Sequence, residues 1–223
     1  MSDRYTLTRR RFMETTGVTA AGLIAAAGNS FSADEDNSML VIDCHAHIYG
    51  EDEKKYPTIE KPYRPPKGKG TISHLKREMK AAGVSKVTAI QTSSFYRWDN
   101  RFTSDSARAN KEYMVGVVTL DPDDPESPEM LEKYVNEYNV RGMRSIPAKS
   151  GKLDDPGVAK LWATAERLGI VINALVNRAK RGEIETLVKK HPMLPVVIDH
   201  CLNLKAGPQI EATLKDVIAL AKL

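Results

Sequence analysis

The sequence predicts an α/β chain built as a parallel (β/α) barrel, with six of the usual eight βα units present. Three observations carry that prediction. Short runs rich in Val, Ile and Leu alternate with helix-period segments behind residue 39, and this alternation forces parallel strands joined by right-handed crossovers. The strand runs lack polar alternation, as strands covered on both faces do. The turn after the first strand reads His45-Ala46-His47-Ile48-Tyr49, where an open nucleotide-binding sheet would carry a Gly-rich turn.

Strands are expected over 40–45, 86–92, 114–120, 140–146, 170–175 and 196–200. Helices are expected over 72–82, 104–111, 128–138, 156–168, 183–190 and 209–222. Ser127-Pro128 and Asp155-Pro156 each place a capping residue before a proline in the first turn, a helix-start signature. Gly83 and Gly169 follow helices and end them. A complete eight-unit barrel takes about 250 residues. The stretch behind residue 32 is roughly 190 residues by a leader-cleavage reading, and the sequence reaches Leu223 after its sixth helix. The barrel domain, residues 39–223, is therefore expected to be short at its C-terminal side.

Residues 1–32 read as an address. Thr8-Arg9-Arg10-Arg11-Phe12-Met13 resembles the twin-arginine export motif, and a mild run rich in Ala, Gly and Thr follows over 15–27. That run is too short and too weakly apolar for a membrane span, which takes about 20 strongly apolar residues. Cleavage near Ser32 would leave a periplasmic or secreted protein with no stable membrane anchor. Removing the leader takes away four arginines and two acids, so the net charge falls from +4 to +2. So small a charge, spread evenly along the chain, gives no case for nucleic-acid binding. Two cysteines, Cys44 and Cys201, are too few for a disulfide scaffold. Each adjoins a histidine on an expected strand and is read as a small buried hydrophobe.

Chemistry concentrates where the first strand ends. Side chains alternate along a strand, so His45 and His47 point the same way. Two imidazoles on one face at the C-terminal end of a barrel strand suit a shared divalent metal. Asp43 shares that face one layer deeper and is expected to hydrogen-bond behind the ligands, with a purely structural role as the alternative. Asp199 should face outward. Arg144 ends the fourth strand, where a guanidinium can pair with both oxygens of a substrate carboxylate or form an ordinary salt bridge. Tyr49, Gln91 and the long 50–70 segment border the same rim and are candidates for substrate contact or, for the segment, a lid, with a floppy surface loop as its equal alternative. His74 and His191 lie off the rim and are read as solvated or structural.

Five pieces of sequence carry a resemblance: Val41-Ile42-Asp43-Cys44-His45-Ala46-His47, Gly83-Val84, Gly116-Val117-Val118-Thr119-Leu120-Asp121-Pro122, Val140-Arg141-Gly142-Met143-Arg144 and Val197-Ile198-Asp199-His200. In their order and spacing the chain resembles the amidohydrolase-related family of metal-dependent hydrolases. That group includes aminocarboxymuconate semialdehyde decarboxylase, 2-pyrone-4,6-dicarboxylate lactonase and L-fuconolactonase-like proteins. The resemblance implies a TIM-like barrel with His45, His47 and His200 at the metal. It also implies a strand-five histidine and an acid after strand eight. Here strand five reads Ile172-Asn173-Ala174-Leu175, and no eighth strand is present.

Three histidines with an open fourth position suffice for a catalytic zinc, whose bound water ionises near pH 7. The expectation is an exported hydrolase acting on a small carboxylated or lactone-type substrate through such a water, with decarboxylation as a related chemistry. The alternative is an inactive, shortened relative or ligand-binding protein lacking the strand-eight acid. Unpaired edge strands in a partial barrel make self-association an expected property.

Overall fold

The computed structural model describes residues 39–223; the twin-arginine segment lies outside the described residues. Strands and helices alternate as β1 (Ile42–Ala46), α1 (Ile72–Ala82), β2 (Lys86–Ile90), α2 (Arg101–Ala109), β3 (Met114–Thr119), α3 (Ser127–Glu137) and β4 (Val140–Ser145). They continue as α4 (Pro156–Leu168), β5 (Val171–Ala174), α5 (Arg181–Lys190), β6 (Val196–Ile198) and α6 (Ile210–Leu220). A helical turn at Ser93–Tyr96 and another turn at His200–Asn203 sit at strand ends. Both belong to the rim.

The helix boundaries follow from local chemistry. The Thr71 side chain accepts from His74 N at the start of α1, and Gly83 ends that helix in the left-handed conformation. Asp155 caps α4 through Gly157 N, Pro156 opens it, and Gly169 closes it at φ 67°. These two helices span the residues the sequence predicts. α2 starts three residues earlier than expected, at Arg101, because Asn100 fixes the entry. Its side chain donates to Thr119 O and Trp98 O and accepts from Thr119 N.

All strand pairs are parallel, in the order β1-β2-β3-β4-β5-β6. The sheet curls strongly. Flat neighbours lie about 4.8 Å apart, so β1 and β6 would be separated by about 24 Å. Instead the rings of His45 on β1 and His200 after β6 have centroids 4.9 Å apart. Six strands thus form an incomplete TIM-like barrel, its helices packed outside. One apolar cluster, centred on Trp162, Met143, Ile172 and Ile184, fills the layer between β3–β6 and α3–α5. A smaller one, with Ile48, Val87 and Met114, lies under α1 and α2.

Two expectations about cysteine fail. Cys44 and Cys201 are both exposed. Ile42, two residues earlier on the same edge strand, is likewise 48% exposed. Cys201 is not on a strand at all: β6 stops at Ile198, and Cys201 sits in the following turn at φ 50°.

Candidate functional site

β1, β4 and β6 deliver their last inward residues to one point at the C-terminal end of the strands. On β1, one extra residue between Asp43 and Ala46 bulges the strand against β2. Asp43 fixes this bulge by accepting from His45 N at 2.9 Å. Its hydrogen bond goes to the main chain and supports the backbone that carries the histidine.

His47 lies just past the strand, with Nδ1 2.9 Å from Ile90 O. A carbonyl only accepts, so Nδ1 carries the proton and Nε2 presents a lone pair. Thr92 Oγ1 stands 3.4 Å from the same Nδ1. His45 is fixed differently. Its Nε2 lies 3.0 Å from Arg144 Nη2, and a guanidinium only donates, so this Nε2 accepts. His45 Nδ1 is 3.9 Å from Asp199 Oδ1, a separation longer than a hydrogen bond. Burial pushes both imidazoles below the ordinary histidine pKa of 6.5. At His45 the pull of Asp199 opposes this, and at His47 the bond to Ile90 does. Both shifts favour the neutral imidazole.

Arg144 and Asp199 form a buried ion pair. Arg144 Nε donates to Asp199 Oδ2 at 3.1 Å, and Nη2 stands at the same distance from that oxygen. The side chains are 5% and 1% exposed. Asn173, paired in register with Arg144 across β4 and β5, donates to Asp199 Oδ1 at 3.3 Å. Burial pulls the Arg144 pKa down from its ordinary value while Asp199 pulls it up. The sequence placed Asp199 facing outward and His200 as the inward end of β6. The structure reverses the parity. Val196 and Ile198 pack against the outer apolar cluster, which turns Asp199 inward. His200 then leads a left-handed turn at φ 52° and is exposed.

The remaining rim candidates have other duties. Arg144 is a buried ion-pair partner and not an open carboxylate clamp. Gln91 is fully buried, and its amide donates to Arg97 O at 3.0 Å and Asp99 O at 3.2 Å. Through that amide it holds the rim loop. Tyr49 packs edge-on against Phe95 at 5.0 Å and lies over Gly70, where a Cβ would come within 2.4 Å of its ring. It clasps the 50–70 segment. That segment is further tied down by Gly50 N donating to Tyr96 Oη at 2.7 Å and Ile59 N to Phe95 O at 2.9 Å, so it forms a fixed wall of the rim. Off the rim, His191 is buried with Nδ1 2.8 Å from Glu166 Oε2, and His74 faces Glu78 on α1.

Asp199 and Asn173 are the residues that sequence reasoning missed. A signal existed: an inward Arg144 at a buried strand end requires a counter-charge, since buried arginine is almost never left unpaired. β6 offers Asp199 for that role.

For a divalent ion the donor set fits in kind. Three imidazoles gather, with ring centroids 5.1 Å apart for His45 and His47 and 4.9 Å for His45 and His200. His47 is also anchored through Nδ1, as metal-bound histidines are. One donor is held back, because His45 Nε2 is engaged by Arg144. As placed, no group of three or more His, Cys, Asp or Glu side chains among the described residues converges to hold an ion. Beside His200 a cavity of about 690 Å³ opens, lined also by Arg178, Lys205, Asn177 and Gln209.

Among curated proteins none matches the chain significantly. Solved structures share its fold. A protein described as a probable 2-pyrone-4,6-dicarboxylic acid hydrolase from Acinetobacter baumannii, solved with citric acid, has a TM-score of 0.67 at 16% identity, over 82% of this chain and 66% of that one. 5-Carboxyvanillate decarboxylase from Sphingomonas paucimobilis has a TM-score of 0.57 at 14% identity, over 74% and 68%. An amidohydrolase from Burkholderia multivorans with bound zinc has 0.58 at 19% identity, over 82% and 65%. The chain thus spans about two thirds of the length of these structures. The amidohydrolase family profile matches residues 42–222, which covers every strand and every rim residue described above, and the chain belongs to the amidohydrolase family.

Proposed function

We propose that this chain is an exported hydrolase acting on a small carboxylated or lactone-type substrate, with a divalent ion, zinc foremost, at the histidine rim. The observation that carries the reading is the proximity of three imidazoles, with ring centroids 5.1 Å apart for His45 and His47 and 4.9 Å for His45 and His200, at the C-terminal ends of parallel strands, the end where barrel enzymes place their chemistry. The names of the similar structures support the substrate class, since two act on or are described for carboxylated rings and one held citrate. Lys205 lines the cavity beside His200 and offers a positive charge suited to carboxylates, whereas Arg178, also at its wall, is paired with Asp216 at 2.6 Å.

His47 and His200, with His45, are the residues that would hold the ion. When bound, it supplies a water acidified to near neutrality. The chain's own residues do the rest. Ile90 O fixes the tautomer of His47, Asp199 stands 3.9 Å from His45 Nδ1, and the 50–70 segment is tied to the rim through Tyr96 and Phe95. Decarboxylation is the neighbouring chemistry within the same reading. A second reading, binding without turnover, draws on one observation: Asp199, the acid at this rim, is committed to Arg144 and Asn173. A proton shuttle needs an uncommitted acid.

Calorimetry tests the substrate class. A carboxylated pyrone lactone should bind, and its methyl ester should bind at least about tenfold more weakly because it loses the charge-assisted contacts. Equal binding of the ester would remove the carboxylate from the account.

Export rests on Arg9, Arg10 and the mild apolar run behind them. Replacing both arginines with lysine should leave the precursor in the cytoplasm, as read by cell fractionation. Unchanged export of that variant would reject the twin-arginine route. β1 and β6 are each paired on one side among the described residues, and we assign a second copy of the chain as the partner at these edges.

A further inference from the structure

We propose that Arg144 is a built-in competitor for the metal, so that the guanidinium and a divalent ion claim the same lone pair on His45 and only one holds it at a time. This rests on the reading of the rim as a metal centre and concerns what sets its affinity.

The geometry leaves His45 little choice. Its Nε2 faces Arg144 Nη2 at 3.0 Å, and its Nδ1 faces the Asp199 carboxylate at 3.9 Å. An imidazole nitrogen has one lone pair, and an accepted hydrogen bond occupies it. An ion seated on Nε2 would also stand close to a guanidinium of like charge in a poorly solvated site, where repulsion is weakly screened. Arg144 is not free to leave. Nε and Nη2 lie 3.1 Å from Asp199 Oδ2, Asn173 steadies the other carboxylate oxygen, and the side chain is 5% exposed. Withdrawing the guanidinium means breaking a buried ion pair, and that cost is subtracted from metal affinity. The contest is confined to His45, whose Nε2 is the atom that Arg144 Nη2 reaches.

The test uses zinc alone, titrated into the full chain against a chromophoric chelator. In the double variant Arg144→Met/Asp199→Asn both charges go together, so neither is left buried and unpaired. It should bind zinc at least about tenfold more tightly than the wild type, the scale on which outer contacts of a ligating histidine act. Adding His45→Ala to the double variant should abolish the gain. Circular dichroism establishes that each variant is folded. If the double variant does not fold, Arg144→Lys serves in its place: a single ammonium cannot span Asp199 and His45 together, and a smaller gain is expected. Equal affinity in folded wild type and variant, or a gain that survives His45→Ala, overturns the competition while the metal reading stands. No zinc binding by wild type or any variant overturns both.

Discussion

Replacing Arg144 alone with methionine should lower the stability of the folded chain by about 3–5 kcal/mol, the cost of leaving one member of a buried ion pair uncompensated. The burial is what makes the effect large. The Arg144 and Asp199 side chains are 5% and 1% exposed, so water cannot replace the lost guanidinium. Asn173 retains its bond to the carboxylate at 3.3 Å, but a neutral amide cannot balance the charge. Replacing both partners, Arg144→Met with Asp199→Asn, should recover most of the loss, because paired removal of buried charges is often close to neutral. Urea denaturation of the two variants and the wild type separates these outcomes. A single variant as stable as the wild type would show that Asp199 is solvated and the pair is not buried in solution.

Gly157→Ala should be the other severe change. A Cβ at this position would lie 1.8 Å from Pro122 O and 2.9 Å from Pro122 C, and both are backbone atoms. Relief requires moving the β3–α3 loop away from the first turn of α4, where Gly157 N donates to its cap, Asp155. The expected loss is about 3 kcal/mol or more, at the upper end for overpacked sites. Gly182 is the control, since nothing lies within 4 Å of its Cβ position in α5. Alanine there should stabilise by about 0.5 kcal/mol through helix propensity and a less flexible unfolded chain. Equal melting behaviour for the two alanine variants would mean that the α4 entry is looser than described.

The limits of sequence reading in this molecule have local causes. α1 and α4 were legible to the residue because their stops and starts are written in single side chains, Thr71, Gly83, Asp155 and Gly169. The parallel strand order was legible because Val/Ile/Leu runs alternating with helices admit few topologies. The inward face of β6 was not. Parity counted back from His200 presumes that the strand runs on to that residue, but it ends at Ile198 and the chain enters a left-handed turn. One residue of difference exchanges the roles of Asp199 and His200. The Arg144–Asp199 contact links residues 55 apart in sequence, and no local pattern encodes such a pair. Cys44 was misplaced for a related reason. Alternation tells which face a side chain takes, whereas its exposure depends on whether anything covers that face of an edge strand.

The most direct test of the account is turnover at the histidine rim. Purified chain, with zinc supplied, is incubated with a carboxylated pyrone lactone, and release of the ring-opened acid is followed by its loss of ultraviolet absorbance. The account predicts measurable hydrolysis by the wild type and a fall of at least about a hundredfold in His47→Ala, which removes the imidazole whose Nε2 faces the rim while Ile90 O loses only a side-chain donor. His191→Ala is compared at a temperature where it remains folded, and there it should keep wild-type rates. Hydrolysis that is equal in wild type and His47→Ala, or binding of the lactone with no turnover by any form of the protein, would contradict it.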